Sequence, residues 1–249
     1  MTPLLRALLP RTIRPRRILA GPLRGAWLVT SWLDYPAGLV GRTERALLDW
    51  FAAQVQPGET WLDVGAHYGY TTIALGRLVG PRGRVFAFEP VPATAGCVDQ
   101  GRALNDLPQV DVVPLGLGSV EKMEFRRIAL TRGMADSTFG GGASSWFVTA
   151  GIVRFDGLWT SINAGNDAIH GVKIDVQGME LEALDGMREA LARWRPRIVL
   201  ELHAGVSREA VLSLLRELGY SSEAVAIEPA RGERTPQFLD DHSYAFHPA

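Results

Sequence analysis

The stretch Trp61-Leu62-Asp63-Val64-Gly65-Ala66-His67-Tyr68-Gly69 decides how this chain is read. Residues Thr60 to Val64 form a short, mostly apolar run, as a buried strand does. Tyr70 to Val79 then carries apolar side chains at helical spacing. Glycines at such a crossover let the backbone adopt positive φ and come close to a ligand. Outward from this point the pattern repeats. Before it, Ala46, Leu47, Trp50, Phe51 and Val55 predict a helix that Pro57-Gly58 ends. After it come a strand over Arg84 to Phe88, a helix over Pro92 to Leu104 and a strand over Val110 to Val113. The alternation resumes with a strand over 171–176, a helix over 180–193, a strand over 198–202 and a helix over 207–218. Short strands near Val225 and Tyr244 close the chain. Strands separated by helices predict one doubly wound α/β domain, with a mostly parallel sheet covered on both faces.

The glycine turn is selective about its ligand. A dinucleotide turn needs G-x-G-x-x-G, and from Gly65 the second and third glycines are replaced by His67 and Tyr70. A P-loop pattern is missing as well. The pattern present is D-x-G-x-x-x-G, with Asp63 two residues before Gly65. An acid there repels a pyrophosphate and suits a cationic ligand; S-adenosylmethionine carries both a sulfonium and an ammonium. Three strand ends share the cleft by topology. Val85-Phe86-Ala87-Phe88-Glu89-Pro90 puts Glu89 where an acid accepts ribose hydroxyls. Val172-Lys173-Ile174-Asp175-Val176-Gln177-Gly178-Met179-Glu180 puts Asp175 at the fourth strand end. Ile198-Val199-Leu200-Glu201-Leu202-His203 puts Glu201 and His203 at the fifth.

This set, in this order and spacing, resembles the FkbM family of S-adenosylmethionine-dependent methyltransferases. Gly41-Arg42-Thr43-Glu44 is similar to the family's lead-in, so the likeness runs from about residue 41 to 203. The resemblance implies a Rossmann-like class I methyltransferase fold: a seven-stranded sheet whose last strand is antiparallel. It also implies methyl transfer to a hydroxyl of a sugar, lipid or natural product. His67 and Gln177 stand where the family commonly has asparagine and glutamate.

On this reading Asp63, Gly65, His67, Gly69 and Glu89 bind the cofactor, while Asp175, His203 and Lys173 serve the reaction. Lys173 stands out because only two of the 26 basic residues are lysines, and a thin ammonium stem fits where a guanidinium cannot. His203 is the histidine best placed as a general base. Glu180 reads as a first-turn helix acid favoured by the dipole. No His-x-x-x-His occurs, so the spacing predicts no metal site. Rival readings are a nucleic-acid or amine methyltransferase and a non-catalytic cofactor-binding module. The Asn/Asp-Pro-Pro-aromatic turn of amino-methylating enzymes is missing, which argues against the first.

Length and charge complete the picture. At 249 residues the chain suits one large domain or two small ones. The lone Cys97 excludes a disulfide framework and a cysteine-rich zinc site. The net charge of −1 hides an asymmetry. Residues 1–33 hold six arginines and no acid, so the remaining 20 basic residues face 27 acids. Residues 1–40, rich in proline, are therefore expected to form a basic arm before a methyltransferase domain over 41–249. The arm is expected to bind an anionic lipid surface, an acidic substrate or nucleic acid, or simply to pack on the acidic body. Between about 115 and 169 an insertion is expected, with a glycine loop at 140–142 and an aromatic cluster of Trp146, Phe147, Phe155 and Trp159. That cluster reads either as an acceptor wall or as insertion core. No run reaches the length of a transmembrane segment, and a cytoplasmic location is the expectation. An Arg-rich, acid-poor start also fits an organelle transit peptide.

Overall fold

The computed structural model describes residues 10–131, 134–136, 147–163, 168–221, 223–231 and 233–249. A hairpin of β1 (Arg14–Arg17) and β2 (Trp27–Thr30) comes first, followed by α1 (Pro36–Val40) and α2 (Arg45–Gln54). The alternating core then runs through β3 (Thr60–Val64), α3 (Tyr70–Val79), β4 (Arg84–Phe88), α4 (Pro92–Leu104) and β5 (Val110–Val113). A second sheet interrupts it, built from β6 (Gly116–Leu117), β7 (Glu124–Thr131), β8 (Met134–Asp136) and β9 (Phe147–Val153), and α5 (Phe155–Ile162) follows. The core resumes with β10 (Gly171–Ile174), α6 (Glu180–Asp185), α7 (Arg188–Trp194), β11 (Arg197–Leu202) and α8 (Arg208–Glu217). It closes with β12 (Val225–Ala226) and β13 (His242–Phe246).

The main sheet has seven strands in the order β12-β13-β11-β10-β3-β4-β5. Only β13 pairs antiparallel to its neighbours among these strands. This is the α/β fold expected for a class I methyltransferase. Chain order reverses between β3 and β10, so the crevice for a ligand opens at their carboxyl ends.

Side-chain alternation along each strand divides the core. Leu62 and Val64 of β3, with Phe86 and Phe88 of β4, join Phe155, Leu184, Leu191 and Tyr244 on one face. Trp61 and Val85 point the other way, onto Phe51, Ile73 and Leu75. Period-two geometry forces this division.

The N-terminal segment is more than an arm. Ile18, Leu23, Leu28, Val29 and Leu39 are buried in the same cluster as α2 and α3. Asn105 at the end of α4 also exchanges hydrogen bonds with Trp27: its Oδ1 accepts from the backbone N–H at 2.9 Å and its Nδ2 donates to the carbonyl at 2.7 Å. The boundary drawn at residue 41 therefore is not a packing boundary. Prolines do keep this stretch from forming a long helix, but β2, between Pro22 and Pro36, still buries Leu28 and Val29. Arg17 stacks over Trp27 at 3.9 Å, so part of the arginine surplus lies along the body.

Two further differences have local causes. The helix expected over 180–193 is split at Gly186-Met187. A Cβ at Gly186 would lie 2.3 Å from the Gly118 carbonyl oxygen, and Asp156 caps the second piece by accepting from Glu189 and Ala190 N–H at 3.0 Å each. Of the aromatic cluster, Phe155 and Trp159 are core, packed on Phe88 and Phe86. Phe147 is exposed, and Trp146 and the glycine loop lie outside the described residues.

If the hairpin is part of the folding unit, Leu28→Ala removes a fully buried side chain from a shared core. The expected loss is about 2–4 kcal/mol in urea denaturation. A loss below about 0.5 kcal/mol would show an accessory arm.

Candidate active site

The turn after β3 is fixed by backbone chemistry. Gly65 and Ala66 N–H both donate to the Phe88 carbonyl at 3.0 Å, tying the turn to the end of β4. Gly65 has φ +84°, and a Cβ there would lie 1.8 Å from the Asp175 carbonyl oxygen. Only glycine satisfies both conditions. Gly69, φ +82°, opens α3 and packs its Cα against Val98.

Beside this turn, parallel pairing sets Lys173 opposite Asp63. The buried Lys173 Nζ donates to the Gly65 carbonyl at 2.9 Å and lies 3.3 Å from both Asp63 Oδ1 and Asp175 Oδ2. The two carboxylate contacts are ion pairs; the carbonyl takes the aligned hydrogen bond. Burial alone would lower the ammonium's pKa, but the Asp175, Asp63 and Glu44 carboxylates raise it. Lys173 is thus a fixed positive charge and cannot accept a proton. Asp63 is fully buried, and its Oδ2 accepts from Thr71 and Thr72 hydroxyls at 2.8 and 2.6 Å. Its carboxylate stands behind the turn, not on the cavity wall, so it holds Lys173 and the start of α3 in place.

The cavity, about 220 Å³, opens over these strand ends. Gly65, His67, Glu89, Lys173 and Asp175 of the sequence-derived set line it, and Leu115, Leu117, Ile128 and Ile152 from the β5–β9 region give an apolar wall. Glu89 is buried; its Oε2 accepts from His67 N–H at 2.8 Å and its Oε1 from Val91 N–H at 2.9 Å. Burial outweighs these bonds and pushes its pKa up to about 7. His67 has φ +49°, and burial lowers its pKa to about 4, so its ring is neutral near pH 7. Its Nε2 and the Tyr70 hydroxyl are buried without partners, and both residues line the cavity. Two such atoms on one wall suit a polar ligand.

At the other end stands a cluster that the sequence pattern only half revealed. His203 is buried, and its Nδ1 lies 2.6 Å from Glu180 Oε1. Its Nε2 lies 2.7 Å from Gln177 Nε2 and 3.5 Å from both Asp175 Oδ1 and Glu201 Oε1. Glu180 does open a helix, as expected, and its fully buried Oε1 accepts from Gly178 N–H at 3.0 Å as well as meeting His203. Burial alone would lower the His203 pKa; the Glu180 hydrogen bond and the surrounding carboxylates raise it. Asp175 is held low because Lys173 and His203 outweigh its burial. Burial, then the Asp175 and Glu44 carboxylates, push Glu201 up. Asp175, Glu201 and His203 offer ligand atoms within 4.8 Å of one another. The spacing test for metal ligands missed this set because neighbouring strand ends, not one helix, build it. Glu44 and Tyr35 also line the cavity and were not assigned from sequence. His170 lies at the far end of β10, accepting from Thr60 N–H at 3.1 Å, away from the cleft.

Residues 63–222 match the family described as Methyltransferase FkbM domain. The chain belongs to the FkbM methyltransferase family. As a methyltransferase of this family it uses S-adenosylmethionine. Hexuronic acid methyltransferase AglP of Haloferax volcanii is 30% identical to it over 187 residues, 73% of this chain and 72% of that protein. Protein-L-isoaspartate O-methyltransferase of Aeropyrum pernix is 50% identical over 58 residues, 23% of this chain and 20% of that one. Among solved structures, Aeropyrum pernix fibrillarin with natively bound S-adenosylmethionine superposes at TM-score 0.50 and 13% identity, covering 94% of this chain and 98% of that one. An rRNA methylase from Streptococcus thermophilus gives TM-score 0.50 and 13% identity, covering 84% and 98%. At such identities the likeness is one of fold. No helix among the described residues of this methyltransferase is long and apolar enough to cross a membrane.

Removing the Lys173 charge leaves the buried Asp63 and the partly exposed Asp175 without their shared ammonium. Lys173→Met is expected to cost about 3–5 kcal/mol in urea denaturation. Lys173→Arg should not restore it, because the planar guanidinium does not fit beside the Gly65 carbonyl. Wild-type-like stability of either variant would contradict this role.

Proposed function

We propose that this methyltransferase transfers the methyl group of S-adenosylmethionine to a hydroxyl of a sugar-type acceptor. The observation that carries the reading is the two-ended cavity. An acid at the end of β4 and a glycine turn line one part of it; the Asp175 and Glu201 carboxylates line another, with His203 behind them. The acceptor class is supported by the FkbM relative named for hexuronic acid methylation.

In this reading Glu89 accepts the ribose hydroxyls, and the turn from Gly65 through His67 to Gly69 lies along the methionine part. Asp63 acts on the cofactor only through the position of that turn and of Lys173. The acceptor hydroxyl hydrogen-bonds to Asp175, which Lys173 keeps ionised. Its oxygen attacks the methyl carbon in line, the carbon–sulfur bond breaks, and S-adenosylhomocysteine leaves as a neutral thioether. The hydroxyl proton passes to the cluster of His203 and Glu201. Catalysis then comes largely from holding oxygen, carbon and sulfur in line. The apolar wall of Leu115, Leu117, Ile128 and Ile152 excludes water from the cofactor. The N-terminal segment contributes Tyr35 to the cavity wall, and its exposed arginines are available for an acidic acceptor such as a uronic acid.

The direct test incubates the protein and labelled S-adenosylmethionine with neutral sugars, uronic acids and amines. A methyl ether on a sugar hydroxyl is the expected product by NMR; methylation confined to nitrogen would contradict the proposal.

A second test uses Glu89. With its pKa near 7, the carboxylate is mostly ionised at pH 8 and mostly protonated at pH 6. The ionised form accepts both hydroxyls, so affinity for S-adenosylhomocysteine should fall about tenfold from pH 8 to pH 6. Glu89→Gln should weaken binding by about thirtyfold at pH 8 and flatten the dependence in calorimetry. Unchanged affinity in Glu89→Gln would remove the ribose assignment.

A further inference from the structure

We propose that Asp175, Glu201 and His203, joined by the Gln177 side-chain carbonyl, form a divalent-cation site at the acceptor end of the cavity. The three titratable residues come from two adjacent strand ends, and their ligand atoms lie within 4.8 Å of one another. Asp175 and Glu201 both line the cavity, so an ion there would meet the acceptor.

The support outside this set is Glu180. Its fully buried carboxylate sits 2.6 Å from His203 Nδ1. That contact fixes the tautomer with hydrogen on Nδ1 and leaves the Nε2 lone pair facing Asp175 and Glu201. A carboxylate orienting the outer nitrogen is the arrangement that metal-bound histidines use. Gln177 fits the same purpose. Its amide nitrogen lies 2.7 Å from His203 Nε2 and 3.4 Å from Asp175 Oδ1. Turning the amide by 180° puts its oxygen at this point and supplies a fourth, uncharged donor.

Charge points the same way. Among the described residues here, the carboxylates of Glu44, Asp63, Asp175, Glu180 and Glu201 stand against the Lys173 ammonium. Asp241 adds a more distant, exposed carboxylate 3.9 Å from His203 Nε2. Two carboxylates, an amide oxygen and one imidazole make a mainly hard donor set, suited to magnesium or manganese. The ion's chemical role rests on the methyl-transfer reading. Bound to the acceptor oxygen, it would make that hydroxyl more acidic; with His203 and Glu201 then held as ligands, the hydroxyl proton would pass to solvent instead of to them.

The test titrates Mn²⁺ into the full-length protein, with and without S-adenosylhomocysteine, and follows free Mn²⁺ by EPR. One ion per chain is expected, displaced by excess Mg²⁺. Glu201→Gln and His203→Gln should each weaken uptake at least tenfold, with S-adenosylhomocysteine binding kept as proof of folding. Chelation by EDTA should lower methyl transfer at least tenfold, and Mg²⁺ or Mn²⁺ should restore it. No stoichiometric uptake by the wild type, or uptake unchanged in both variants, would overturn the site. Full activity in EDTA would overturn its role. Failure of the wild type to bind S-adenosylhomocysteine would instead count against the methyl-transfer reading, since Mn²⁺ uptake is measured without it.

Discussion

The Lys173 ammonium is the point on which the site depends. It lies where β3 and β10 run side by side and the chain order reverses. Its three contacts join parts that the chain keeps far apart: the Gly65 carbonyl of the turn, Asp63 within β3 and Asp175 past the end of β10. Asp63 in turn anchors Thr71 and Thr72 in the first turn of α3. A buried ammonium is costly unless its partners are close and fixed. The central strands supply that fixity, and the chemistry-bearing strand ends inherit it. Arginine, otherwise strongly preferred in this chain, spreads its charge over a planar fork and does not reproduce a compact ammonium beside one carbonyl and two carboxylates.

From this centre the cavity divides by chemistry. Toward β4 the wall is a neutral histidine, a partly titrating Glu89 and apolar side chains from the inserted sheet. Toward β11 it is carboxylate-rich and polar. A sulfonium cofactor placed between them would feel the carboxylates as counter-charge, and its departure as a neutral thioether would release that attraction. In the proposed arrangement the carboxylates that attract the cofactor also hold the cation, and it is the cation that acidifies an acceptor hydroxyl. The inserted sheet and the N-terminal segment, both outside the alternating core, contribute Ile128, Ile152 and Tyr35 to this wall.

Much of this was legible in the chain. Strands read well where buried apolar runs are short and bounded, as at Thr60–Val64 and Arg84–Phe88. The glycine turn read well because its conformation leaves few residue choices. Pairings across space were not legible. Glu180 looked like a helix-opening acid because nothing local points to His203, which is 23 residues away. Glu201 was seen at its strand end but not assigned, because strand register, not spacing, brings it to Asp175. The Gly186 break lies inside a good helical pattern, and only contact with the Gly118 carbonyl explains it. The N-terminal segment looked separable because charge and proline dominate its composition. Several of its apolar residues, Ile18, Leu28 and Leu39 among them, are nonetheless buried.

The most direct measurement is a crystal structure of the protein with S-adenosylhomocysteine. The account predicts the ribose hydroxyls on the Glu89 carboxylate and the sulfur turned toward Asp175 and His203, with open space for an acceptor between them. A ribose bound away from Glu89, or a sulfur facing away from Asp175, would contradict it.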